Sequence, residues 1–261
     1  MEIFILTVLL GVLVGIVASF FGIGGGVLFV PILILVLNYD TKMAIGTSLL
    51  AVFITSISSA LAYAKRERID YKLGLMLETA SIPGAIFGAY IVTIASVVLL
   101  RRIFSMFLYA LSINIVWNKK QYYKRQNKQT RPRDKLIKAE ALSFIAGMLS
   151  AMLGIGGGVL KVPVMLLVLN MPIHQATATS SFMVVITSLT GLTQHILHGY
   201  VVIRMGLLLG IGATLGAQIG VYLSDRTKPK MLRKLFAIML MVIATELLLD
   251  NAHKSSTRCG D

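Results

Sequence analysis

Apolar residues along the chain fall into ten stretches, five in each half, separated by short polar connections. Most stretches are close in length to the roughly 20 residues that a helix needs to cross a bilayer. The pattern predicts an all-α polytopic membrane protein with 8–10 transmembrane segments. The stretches are Ile3–Phe20, Val27–Leu37, Ala44–Ala64, Leu73–Ile94, Val97–Trp117, Ala139–Leu153, Val159–Leu169, Ala176–Leu197, Val201–Leu223 and Leu232–Leu249.

An internal repeat relates the two halves. The segment at 22–31, Gly-Ile-Gly-Gly-Gly-Val-Leu-Phe-Val-Pro, returns at 154–163 as Gly-Ile-Gly-Gly-Gly-Val-Leu-Lys-Val-Pro. We call the shift that takes position 22 to position 154 the repeat offset. Without any gap, it also aligns Asn38 with Asn170, Thr47-Ser48 with Thr179-Ser180, Gly84 with Gly216 and Gly88 with Gly220. A run of matches of this length indicates a duplicated membrane unit.

The repeat sets the expected domain boundaries. Ile3–Phe20 aligns with Ala139–Leu153, so we expect the first stretch to belong to the fold and not to a cleaved signal peptide. We predict a first membrane repeat at residues 1–117, a basic cytoplasmic linker at 118–138, a second membrane repeat at 139–250 and a polar C-terminal tail at 251–261.

Composition and charge support this picture. Apolar residues make up 56% of the chain and charged residues 14%, with a mean hydropathy of +0.82, which excludes a water-soluble globule. The net charge of +14 would suggest a nucleic-acid surface in a soluble protein. In a membrane protein it instead marks the loops that face the cytoplasm, so we expect a multi-pass membrane protein in contact with the lipid bilayer and with no nucleic-acid partner.

Basic residues also predict how the two repeats are oriented. In the first repeat a basic loop follows the third stretch, at residues 65–72; in the second repeat a basic loop follows the fourth stretch, at residues 226–234. These two loops hold four and five basic residues and the linker holds nine, which together make 18 of the 25 Lys and Arg. A shift of one loop is what opposite orientation of the copies requires. The sequence therefore predicts inverted repeats, with both termini on the other side.

The second stretch of each repeat is too short to cross a bilayer. Its 11 residues extend about 17 Å at about 1.5 Å per residue, against about 30 Å of hydrocarbon. Glycine-broken short helices of the two repeats are thus expected to meet near the midplane, as in secondary transporters. Two arrangements stay open, a re-entrant hairpin and a pair of short tilted spans.

The glycines that begin these short helices are the first candidate site. Unpaired N–H groups and partial positive charge at the start of a helix favour an anion. We therefore predict that the substrate binds at Gly24, Gly25 and Gly26 and at Gly156, Gly157 and Gly158. No Gly-Lys-Ser/Thr follows either run, which excludes a nucleotide loop. The alternative is that these glycines serve only tight turns and close packing.

Lys161 is the candidate counter-charge. It lies three residues after Gly158 in an otherwise apolar segment, where the first repeat has Phe29. A lysine at membrane depth is costly and marks a functional site by default. The alternative is that its side chain snorkels to the cytoplasmic headgroups.

Hydroxyl and carboxyl side chains complete the candidate set. Thr47 and Ser48, and their equivalents Thr179 and Ser180, could donate to an oxyanion. The alternative is that they bond to a carbonyl one turn back or to a neighbouring helix. Glu78 could relay a proton, or lie near the membrane interface. No metal-ligand pattern, cofactor motif or nucleophile with a base is present in the sequence, so we expect no metal, no cofactor and no enzyme.

The duplicated motifs carry a family resemblance. The Gly-x-Gly-Gly-Gly runs ending in Pro31 and Pro163, followed by Gly46-Thr47-Ser48 and Ala178-Thr179-Ser180, resemble the TauE/SafE family of sulfite-exporter-like membrane proteins. The resemblance implies a multi-pass transporter of the cytoplasmic (inner) membrane for small sulfur-containing anions such as sulfite, organosulfonates, sulfoacetate or thiosulfate. It leaves open which anion is carried, in which direction and with which ion. An anion channel and a transporter of another small anion remain as alternatives, and a homodimer is compatible with the sequence.

Overall fold

The structure is a computed structural model that describes residues 2–91, 133–153 and 156–256, together with residues 105–106, 109–110, 112–113 and 115. Every regular element in this part of the chain is a helix, which confirms the predicted all-α class. The helices are α1 (Glu2–Phe21), α2 (Gly26–Pro31, continued by a π-helical turn at Ile32–Val36), α3 (Thr41–Ala64), α4 (Tyr71–Ile91), α5 (Arg133–Leu153), α6 (Gly158–Leu167), α7 (Ile173–Leu197), α8 (Ile203–Arg226) and α9 (Pro229–Ser256).

Four of the described helices, α1, α3, α7 and α8, are long and apolar enough to cross a membrane, and α2 and α6 are shorter apolar helices. Large apolar side chains lie exposed on the outside of the bundle, for example Leu9, Leu13 and Leu215. Lipid covers such a surface in place of water. The chain is a multi-pass membrane protein, as predicted.

Two helix ends lie more than three residues beyond the predicted apolar stretches. The sixth apolar stretch was expected to begin at Ala139, but α5 begins at Arg133 and so includes the last part of the predicted linker. Asp134 lies in its first turn, where a carboxylate faces the positive end of the helix dipole. Helix α9 continues to Ser256, into the predicted tail. Linker residues 118–132 and most of the fifth stretch lie outside the described residues.

Helices of different repeats pack closely as parallel pairs. Helix α8 lies on α1 and helix α4 lies on α5, with glycines over the partner's backbone: Gly216 over Val12, Gly220 over Ile16, Gly84 over Phe144 and Gly88 over Met148. A Cβ atom at any of these glycines would overlap a carbonyl oxygen of the partner helix. The repeat offset relates each contact of the α1–α8 pair to one of the α4–α5 pair. The two halves therefore share helix-packing contacts as well as sequence motifs.

The equivalent helices α3 and α7 run antiparallel at the centre of the bundle. Gly46, near the start of α3, lies against His195, near the end of α7, and Leu49 lies against Gly191. Since the repeat offset relates α3 to α7, these two equivalent helices run in opposite directions through the molecule.

The basic loops lie together at one end of the bundle. Arg66 and Arg68, in the loop after α3, each form a 3.2 Å ion pair with Asp225 at the end of α8. Because α4 and α5 are parallel, α5 also begins at this end. We call it the basic end; it comprises residues 65–72, the start of α5 and residues 226–234. At the opposite end, Val202 N–H donates to Thr47 Oγ1 at 3.0 Å.

Candidate functional site

Both repeats break at their glycine runs. Gly24 and Gly25 have φ of 80° and 92°, and Gly156 and Gly157 have φ of 77° and 79°. Glycine reaches this left-handed region without the penalty that a Cβ atom would impose. The break lets the chain turn back after α1, and after α5, into a short helix. Helices α2 and α6 therefore begin inside the bundle.

The two breaks meet between α3 and α7. A Cβ atom added at Gly24 would lie 2.6 Å from a methyl of Val184 and 3.0 Å from a methyl of Val52, and one added at Gly156 would meet the same two valines. Gly158 packs on the backbone of the first break. The two short helices thus begin side by side at the centre of the molecule, as the sequence predicted.

A buried charge pair lies beside the second break. Lys161 Nζ, on α6, donates to Glu78 Oε1, on α4, and to Thr187 Oγ1, on α7. Lys161 and Glu78 are each 1% exposed and Thr187 is 2% exposed. Three helices contribute one group each, and Glu78 comes from the first repeat while the other two come from the second.

Thr187 links the two charges. Its Oγ1 lies 3.0 Å from Glu78 Oε2 and 2.9 Å from the carbonyl oxygen of Met183. A threonine hydroxyl has one proton and two lone pairs. It accepts from the Lys161 ammonium and has one proton to donate, either to Glu78 Oε2 or to the Met183 carbonyl; when it donates to Glu78, it bridges the ammonium and the carboxylate.

The Lys161 side chain lies against the glycine break. A Cβ atom added at Gly157 would lie 3.3 Å from Lys161 Cε and 3.2 Å from Ser150 Oγ. The ammonium therefore does not extend along α6 to a membrane surface, and the snorkelling alternative does not describe this conformation. Its partner is a carboxylate in the interior of the bundle.

The equivalent place in the other half is apolar. The repeat offset relates Lys161 to Phe29, Glu78 to Gly210 and Thr187 to Thr55. Phe29 is fully buried in an apolar cluster with Val52, among others. The duplicated fold thus carries one charged position and one apolar position at equivalent sites.

The other predicted hydroxyls bond to backbone groups. Thr179 Oγ1 accepts from Asp70 N–H at 3.0 Å near the basic end, and Thr47 bonds likewise at the opposite end. Ser180 Oγ donates to the carbonyl of Gly22 at 2.7 Å, beside the first break, and Ser48 Oγ donates to Ile45. The structure therefore separates Thr47 from Thr179, and the role of all four in substrate binding stays a prediction.

Sequence reasoning missed the pairing of Lys161 with Glu78, and it left out Thr187. The two charges lie far apart along the chain, on helices of different repeats. One signal was present in the sequence: these are two opposite charges, each alone in an apolar segment, and buried charges in proteins are paired. Thr187 shares its residue type with Thr55, so the repeat did not distinguish it.

Comparison with known proteins adds the context of a family. The family model described as Sulfite exporter TauE/SafE matches residues 7–247. Probable membrane transporter protein YunE of Bacillus subtilis is 32% identical over 95% of this chain and 98% of its own length. A probable membrane transporter protein of Methanocaldococcus jannaschii is 31% identical over 94% of this chain and 95% of its own. No solved structure matches the chain.

Proposed function

Because the chain belongs to the sulfite exporter TauE/SafE family, we propose that it is a secondary transporter that moves small sulfur-containing anions, of the sulfite, organosulfonate, sulfoacetate or thiosulfate class, across the cytoplasmic membrane. The observation that carries the proposal is the Lys161–Glu78 pair, buried beside the break that begins α6. Ionised side chains in a membrane interior are costly and are kept for function.

Lys161 is the anion-binding cation in this proposal. An incoming anion takes the place of the Glu78 carboxylate on the ammonium, so one attraction replaces another and no bare charge is left on the lysine. The N–H groups at the start of α6, Gly158 first among them, add partial positive charge at the same place. The pair is thus closed without substrate and opens only for an anion.

Glu78 is the proton-coupling residue in this proposal. Once an anion has taken Lys161, the Glu78 carboxylate faces an apolar interior without its partner charge, and a buried carboxylate in that state binds a proton. Each anion then crosses together with a proton. This exchange couples transport to the pH gradient without a nucleotide or a metal ion.

Inverted repeats would let the two breaks open alternately to the two sides of the membrane. The antiparallel course of α3 and α7 supports this arrangement, since these equivalent helices run in opposite directions through the bundle. The ion pairs of Arg66 and Arg68 with Asp225 support it further, because they hold the displaced basic loops of the two repeats at one end.

Cysteine labelling tests the orientation. The chain has one cysteine, Cys259, so single cysteines are introduced in a Cys259→Ser background at the exposed positions Lys65 and Lys228, with Lys42 and His198 as probes of the opposite end. We expect an impermeant maleimide to label Lys42→Cys and His198→Cys from outside the cell, and the other pair only after the cells are opened. Labelling of Lys65→Cys and Lys228→Cys from opposite sides would refute inverted repeats.

Flux into proteoliposomes tests the transport function. We expect uptake of sulfite, thiosulfate or a small sulfonate against its own gradient when a pH gradient or a membrane potential is imposed, and none into protein-free vesicles. Failure of all three to move would refute the sulfur-anion proposal. Single-channel currents without concentrative uptake would identify a channel instead.

A further inference from the structure

We propose that this transporter has one anion site, placed off the axis that relates its two repeats, and that buried serines of α4 and α5 form its polar wall. The inference rests on the proposed function, because it specifies where the transported anion binds. We call the group the polar seam; it consists of Glu78, Ser81, Ser143, Ser150, Lys161 and Thr187.

The members of the polar seam are close neighbours in the structure. Ser81 is one helical turn from Glu78 on α4, and its Oγ lies 2.8 Å from the point where a Cβ atom of Gly147 would be. Gly147 lies on α5 between Ser143 and Ser150, about one turn from each. Ser150 Oγ and Lys161 Cε in turn flank the Cβ position of Gly157. The seam therefore runs without interruption from the charge pair to the glycine break.

Two hydroxyls in the seam have no partner in the part of the chain that the structure describes. Ser81 and Ser143 are 0% and 1% exposed, and neither Oγ has a hydrogen-bond partner among the described residues. A buried hydroxyl without a partner costs free energy, and such groups in native proteins are usually explained by a water molecule or a ligand. Each of these hydroxyls can donate to an oxygen of an anion held by Lys161.

The equivalent positions in the other half are mostly not polar. The repeat offset relates five of the six seam residues to apolar or glycine positions: Gly210, Ala213, Gly11, Ala18 and Phe29. The sixth equivalent is Thr55, whose hydroxyl donates to the carbonyl of Ala51 on its own helix at 2.7 Å. One of the two related positions can therefore bind an anion, and the other is packed with apolar groups.

A site on the axis itself has no comparable chemistry. The side chains on which both glycine breaks converge are those of Val52 and Val184, which offer no hydrogen bond. The polar seam instead offers an ammonium and four hydroxyls, those of Ser81, Ser143, Ser150 and Thr187. These donors suit a small anion with several oxygens on one sulfur atom, and one such anion binds per chain.

A matched pair of threonine variants tests the off-axis placement. Thr187 and Thr55 are equivalent, and each hydroxyl lies within hydrogen-bond distance of a carbonyl four residues earlier, but only Thr187 touches the charge pair. We expect Thr187→Val to weaken binding of sulfite, thiosulfate or 2-aminoethanesulfonate roughly tenfold, the scale of one hydrogen bond to a charged group. Thr55→Val should change the affinity less than twofold. Isothermal titration calorimetry of the purified protein measures the affinity. The same titration gives the number of anions bound per chain.

The serines provide a second, independent comparison. Ser81→Ala and Ser143→Ala remove only a hydroxyl oxygen each, and alanine already occupies position 213, the equivalent of Ser81. Both variants should therefore fold, and each should bind the anion several-fold more weakly. Unchanged affinity in both would overturn the role of the serines. Equal losses in Thr187→Val and Thr55→Val, or two anions bound per chain, would overturn the off-axis site while leaving the transport proposal intact. Absence of binding of all three anions to the unmodified protein would overturn both.

Discussion

Lys161→Met is expected to abolish anion binding and to lower the free energy of unfolding by about 3–5 kcal/mol, the usual cost of removing one partner of a buried ion pair. Glu78 would stay in the interior without its counter-charge, and Thr187 would lose the ammonium that donates to it. Thermal unfolding in detergent measures the stability, and titration with sulfite measures binding.

The double variant Lys161→Met/Glu78→Gln separates the two effects. Removing both charges leaves no uncompensated ion, so most of the lost stability should return. Anion binding should not return, because the cation is still missing. A single variant Lys161→Met that binds the anion with unchanged affinity would remove Lys161 from the site.

Glu78→Gln is expected to reduce uptake driven by a pH gradient at least tenfold while anion exchange between two loaded compartments continues. The glutamine amide cannot take up a proton when Lys161 turns to the anion, so coupling to protons is lost. It still accepts a hydrogen bond from Lys161, which remains available to bind the anion. The measurement compares radiolabelled sulfite uptake under a pH gradient with exchange at equal pH on both sides.

Glu67→Gln is the matched control for that experiment. Glu67 is exposed in the loop after α3, so its replacement changes the same chemical group outside the bundle and should leave both fluxes unaltered. If Glu78→Gln retained full uptake under a pH gradient, a residue other than Glu78 would have to carry the proton.

Much of the backbone architecture followed from periodicity and from the repeat. The short length of the second and seventh apolar stretches predicted short helices, and the glycine runs predicted the breaks, which the positive φ values at Gly24, Gly25, Gly156 and Gly157 now show. These features are local: a run of glycines allows a turn whatever surrounds it. The sequence also predicted that Lys161 lies deep in the protein, since no polar residue is near it along α6.

The composition of the site could not be predicted in the same way. Glu78 lies only six residues after Lys72, so the sequence is compatible with a position near the membrane interface and with one in the interior. Its place along the helix does not say which neighbour it faces. Only the packing of α4 against α7, and the approach of α6, bring Glu78, Lys161 and Thr187 together. Hydroxyls posed the same problem: Thr179 was a candidate and Thr187 was not, yet Thr187 contacts the charge pair, while Thr179 bonds to a loop amide.

The parallel pairs of glycine-bearing helices have a consequence for how the chain is made. Helix α1 finds its close partner in α8, which leaves the ribosome only after most of the protein has been synthesised. Contacts between segments so distant in sequence form slowly, and exposed interfaces favour wrong associations in the meantime. The first repeat on its own would expose the glycine faces of α1 and α4 to lipid. Neither repeat can therefore complete its packing alone, and α1 reaches its final contacts only after α8 has entered the bundle.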